Sequence, residues 1–145
     1  MNTTSKSSLA RYLPIVARVA LGIIFLGAGT FGMLMALHVV PMPPQKEPMS
    51  DAAAAFMAGL FKSGYLFHLI KATEIVSGAL LLINRFTPLA LILLAPIVVN
   101  IFAVHALLVP SGLPIAIVLV TLEAYLGWAY RSSYRALFVP RAQPT

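Results

Sequence analysis

Lys71 and Glu74 lie one helical turn apart inside an apolar stretch that runs from Tyr65 to Ile83. A second carboxylate, Glu123, stands deep in another such stretch, Leu113 to Tyr130. Ionisable groups inside bilayer-length segments are costly to place, so each marks a candidate for ligand binding or proton handling. The i,i+3 spacing puts Lys71 and Glu74 on one helix face, where they can pair. At 1.5 Å rise per residue, Glu74 falls roughly 14 Å from either end of its segment, close to a membrane midplane. Asn100 and Glu123 fall near the same depth on two further segments. Lys71, Glu74, Asn100 and Glu123 are therefore expected to form one intramembrane polar cluster. The same residues have a purely structural use, hydrogen-bonding across helices and fixing their register.

His38, His68 and His105 are the only histidines, each towards the outer end of an apolar segment. Imidazoles there can meet a quinone headgroup, ligate haem or collect a metal. Their spacing matches no metal motif, so quinone and haem stand as candidate cofactors and no metal is assigned. Catalytic residues stay unassigned. Ser77 and Ser111 have no histidine spaced to activate them, and Gly29-x-x-Gly32 has no preceding strand and is no phosphate loop. The chain has no cysteine, which removes disulfide, thiolate-metal and Cys-x-x-Cys redox chemistry. A stand-alone enzyme is not expected.

These residues need elements to hold them. Sixty per cent hydrophobic and ten per cent charged residues, with mean hydropathy +0.93, exclude a soluble globular domain, where roughly a quarter of residues are charged. Four segments are long enough to cross a bilayer as helices: residues 15–37, 65–83, 86–109 and 113–130. Asn84-Arg85 and Pro110-Ser111-Gly112 separate the last three, and such short breaks force antiparallel neighbours. The fold class is all-α: a four-helix antiparallel membrane bundle. Tails over 1–14 and 139–145 flank a single domain over 15–138. In the one long connection, His38 to Gly64, the Pro41-Met42-Pro43-Pro44 piece is stiff. After it, Asp51 is expected to cap a short interfacial helix over 52–61.

The net charge of +6 is gathered rather than spread. Lys6, Arg11, Arg18, Arg85, Arg131, Arg135 and Arg141 fall on one side if the spans alternate. Lys46 and Lys62 on the other side are balanced by Glu47 and Asp51. The basic excess predicts cytoplasmic termini in an inner membrane, and there is no basic stripe for nucleic acid. The expected partner is the lipid bilayer. Gly22, Gly27, Gly29 and Gly32, with Ala28 and Gly32 in small-xxx-small spacing, predict close helix approach in span one. The neighbour is either span two or a second copy of the chain.

Two stretches carry a family resemblance: Leu69-Ile-Lys-Ala-Thr-Glu74-Ile-Val-Ser-Gly78-Ala-Leu-Leu-Leu-Ile-Asn84-Arg85-Phe86 and Ala95-Pro96-Ile-Val-Val-Asn100. With Leu113-Pro114 and Leu122-Glu123-Ala-Tyr125-Leu126-Gly-Trp128-Ala-Tyr130-Arg131, they make the chain resemble the DoxX family of small bacterial membrane proteins. In the first half, Arg18 to Gly32, the proline turn and Ala52 to Leu60 add to the likeness. The resemblance implies four helices with cytoplasmic termini, and it makes Glu74 and Asn100 recurrent polar positions. It also implies a component of a membrane redox or quinone-linked complex, with other membrane subunits as partners. The alternatives are a non-catalytic assembly or scaffold protein, or a small-solute or proton pathway.

Overall fold

The computed structural model describes residues 4–43 and 49–138. Pro44, Lys46, Glu47 and Arg141 lie outside the described residues, as do the side chains of Lys6 and Arg11. Among the described residues the regular elements are all helices: α1 (Thr4–Ala36), α2 (Asp51–Lys62), α3 (Leu66–Leu82), α4 (Thr87–Leu107) and α5 (Leu113–Ala129). Short 3-10 turns follow α4 and α5, at Pro110–Gly112 and Arg131–Phe138.

Helix ends fall where the sequence places its breaks. Asn84 and Phe86 take left-handed backbone angles in the turn after α3, and Pro88 sits in the first turn of α4, where its missing N–H costs nothing. α2 is capped one residue earlier than expected. Ser50 is the cap, and its Oγ accepts from the Ala53 N–H at 3.3 Å, so Asp51 becomes the first helical residue and lends its charge to the positive end.

Tyr12–Ala36, Thr87–Leu107 and Pro110–Ala129 are each long and apolar enough to cross a membrane. The fourth candidate is α3, which follows α2 across a bend of 84°. Gly64, at φ +75°, is what lets the chain turn there; a residue with a Cβ would be strained in that conformation. α2 therefore lies across the end of the bundle rather than continuing α3.

The four long helices form a ring in the order α1, α3, α4, α5, with α1 closing back onto α5. The neighbour of the glycine-rich first helix is α3, and the two are antiparallel, since Gly22, Gly29 and Gly32 face Leu82, Glu74 and Lys71 in turn. An added Cβ on Gly29 would lie 2.9 Å from Glu74 Cβ, and one on Gly78 would lie 2.5 Å from the Leu26 backbone nitrogen. The two backbones thus nearly touch.

The closed core occupies one half of the bundle: Leu21 and Phe25 of α1, Leu81 of α3, Leu91 and Leu94 of α4, Leu119 and Leu126 of α5. This half also carries Arg18, Arg85, Arg131 and Arg135, and is called the basic end below. The opposite half, bearing α2 and the long connection, is the loop end. Large side chains such as Ile23, Val76, Val99 and Ile117 point outward, as lipid-facing surfaces do.

Candidate functional site

The N-terminal half of α3 carries Lys71 and Glu74 into the loop end of the bundle. Lys71 Nζ donates to both carboxylate oxygens of Glu74, at 3.0 and 2.8 Å. Glu74 is 2% exposed and Lys71 17%. The bidentate contact compensates the two charges where neither could be solvated. Gly29 and Gly32 of α1 make room for the pair, since a Cβ on Gly32 would meet the aliphatic stem of Lys71 at 2.6 Å. Lys71 Nζ also stands 5.4 Å from the centre of the Phe67 ring, which itself packs on Phe61 with centroids 4.4 Å apart. The ring face is the negative side of its quadrupole and favours the ammonium.

Beside the pair lies a cavity of about 500 Å³ between α2, α3 and α4. Its roof is Phe56, Met57 and Leu60 of α2. One wall is Leu66, Phe67, Ile70, Lys71 and Glu74 of α3; the other is Pro96, Ile97, Asn100, Ile101, Val104 and His105 of α4. The lining is apolar except for the ion pair, Asn100 and His105. Pro96 and Asn100 are both exposed, so the cavity opens sideways between helices rather than being sealed. Asn100 is thus at a margin, not in the interior position its depth in the sequence suggests.

Glu123 does not join Lys71, Glu74 and Asn100 at the cavity. It sits on α5 between Leu119 and Leu126 of the closed core, towards the basic end. Its Oε2 is buried without a partner, as is the Tyr134 hydroxyl. Burial, and the neighbouring Glu123 and Tyr130, push the Tyr134 phenol above its ordinary range. The two intramembrane carboxylates occupy opposite halves of the bundle.

The three histidines also part company. His105 lines the main cavity, whereas His38 and His68 share a separate cleft of about 420 Å³ with Met35, Pro41, Met42 and Phe61. Among the described residues no three His, Cys, Asp or Glu side chains come together as a metal site would require.

Arg18 has a larger part than its reading as a flanking charge. It is 7% exposed, and its Nη1 donates to the Leu81 carbonyl and to Leu82 O at 3.5 Å. These carbonyls end α3, where Leu81 O also accepts from the Asn84 N–H at 3.2 Å, and a cation there meets the negative end of the helix dipole. The signal was present: Arg18 stands inside the first apolar segment just as Glu74 does inside the second. The roofing residues of α2 gave no such signal, because nothing in their sequence says which helices they cover.

An all-helical, membrane-spanning bundle with a side-opening apolar cavity floored by an ion pair defines the class of this protein. A family model described as DoxX matches residues 13–107, well over half of the chain, and the protein belongs to the DoxX family. The match runs from Leu13 within α1 to the end of α4 and includes Glu74, Asn100 and His105; the likeness noted around Leu113 to Arg131 lies beyond it. No curated protein and no solved structure matches the chain.

Proposed function

We propose that this DoxX-family protein binds a quinone-class molecule in the cavity between α2, α3 and α4, as a non-stand-alone component of a membrane redox complex. The observation that carries the reading is the cavity's division of labour. Apolar side chains from three helices would take the ring and the start of an isoprenoid tail. Lys71 and Asn100 supply N–H donors to carbonyl oxygens in surroundings where an unmet acceptor is costly. The opening past Pro96 and Asn100 faces the lateral surface of the bundle, the side from which a lipid-dissolved molecule arrives. The described basic residues Arg18, Arg85, Arg131 and Arg135 gather at one end, which supports an inner-membrane orientation with both termini cytoplasmic.

A second reading is a non-catalytic assembly or scaffold protein. It is favoured by the self-neutralised Lys71–Glu74 pair and the tight α1–α3 seam, which serve packing as well as binding. One experiment separates the two. The full chain is purified in mild detergent, its lipid extract is analysed for quinone, and the same is done for Glu74→Gln. Stoichiometric quinone in the wild type, lost in a Glu74→Gln variant that stays folded, supports the binding reading. A chain without quinone, in which Glu74→Gln simply fails to accumulate, supports the scaffold.

A further inference from the structure

We propose that His105 gives the cavity a fixed hydrogen-bond acceptor, so that the site takes the dihydroxy (quinol) form of its ligand in preference to the dicarbonyl (quinone) form. The inference rests on the quinone-class reading above and adds to it the oxidation state that the site selects.

His105 Nδ1 lies 3.1 Å from the Val109 carbonyl oxygen. A carbonyl can only accept, so the proton of this contact belongs to Nδ1. In the neutral ring, a proton on Nδ1 leaves Nε2 with its lone pair. The ring is held in this pose. It lies against Gly112, where a Cβ would collide with Cε1 and Nδ1 and stand 2.9 Å from Nε2. The Gly112 N–H donates to the same Val109 oxygen at 3.2 Å, tying the 3-10 turn to the imidazole. Gly112 has an ordinary backbone conformation, φ −90°, so the contact with His105 is what a side chain there would violate.

The other polar groups at the cavity do not duplicate this acceptor. Lys71 only donates, and Glu74, whose two oxygens accept from Lys71, is 2% exposed and offers a ligand almost no surface. Asn100 carries both a donor and an acceptor and can satisfy either form. It lies five residues before His105, about 7.5 Å along the α4 axis. A quinol has O–H groups to donate to His105 Nε2. A quinone has only lone pairs, which would face the lone pair of Nε2 and leave it unmet. The discrimination between the two forms therefore resides at His105.

The test uses the full chain in detergent and anaerobic calorimetry with a short-tailed benzoquinone and its chemically reduced quinol. Wild type should bind the quinol roughly three- to tenfold more tightly, the worth of one buried hydrogen bond. His105→Phe keeps the ring volume and removes both nitrogens, and Val109 O keeps the Gly112 N–H. Gly112→Ala keeps the histidine and displaces it. Both variants should bring the ratio of quinol to quinone affinity to about one, and either alone serves if the other does not fold. Equal affinities in wild type, or a quinol preference that survives in His105→Phe, overturn the inference while leaving the quinone reading intact. Binding of neither form overturns the quinone reading and the preference with it.

Discussion

The Gly29 backbone of α1 rests directly on the stem of Glu74 in α3: an added Cβ would stand 2.9 Å from Glu74 Cβ and 3.0 Å from the Ile75 nitrogen. The close approach of two helices and the seating of a buried carboxylate are thus one arrangement. Gly29→Ala should lower stability in detergent unfolding by about 1–3 kcal/mol, because backbone must move. Gly32→Ala should cost less, since its obstacle is the flexible Lys71 stem. Gly27→Ala meets nothing within 4 Å and should leave the melting temperature unchanged or slightly higher.

Lys71→Met leaves the Glu74 carboxylate buried without its cation. Thermal unfolding should show a loss of about 3–5 kcal/mol, as for other broken buried pairs. Lys71→Met combined with Glu74→Gln should recover part of that loss. A double-mutant cycle with no coupling would mean that the contact at 2.8 Å has no energetic weight.

Arg18→Met removes the charged donor to the Leu81 and Leu82 carbonyls. The expected cost is about 1.5–3 kcal/mol, the range for hydrogen bonds to charged groups. Arg18→Lys keeps the charge but not the forked geometry, and should fall between the two in the same unfolding assay.

Glu123→Leu separates the two intramembrane carboxylates. Glu123 lines no part of the cavity, and its Oε2 has no partner. The substitution should therefore leave quinone-analogue affinity unchanged and be neutral or stabilising, by about 1 kcal/mol at most. A loss of binding equal to that of Glu74→Gln would show the two sites to be coupled.

Tyr134, beyond the end of α5, should ionise above the usual tyrosine value of about 10. A phenol whose pKa is higher folded than unfolded adds stability that is fully present below the unfolded value. That stability is lost as the pH rises through the folded value. Wild type should accordingly lose stability as the pH rises past the unfolded value, and Tyr134→Phe, which has no phenolic proton to lose, should lose less over the same range. Tyrosinate absorbance should place the Tyr134 titration lower in Glu123→Gln than in wild type, because a neighbouring negative charge has gone.

Membrane residence, the four apolar segments, their antiparallel order and the Lys71–Glu74 face were determined by the sequence alone. Each depends on something local: hydropathy over about 20 residues, a two- or three-residue break, or an i,i+3 spacing. The tertiary structure decided which residues share a cavity. It set α1 against α3, brought His105 to the cavity but not His38 or His68, left Asn100 at an open margin, turned Arg18 onto the carbonyls of α3 and placed Glu123 in the other half. The physical reason is rotation about the helix axis. α4 and α5 are apolar on nearly every side, so no amphipathic stripe in their sequences tells which face turns inward. That choice is made only when glycine backbones, ridges and the α2 roof pack against one another.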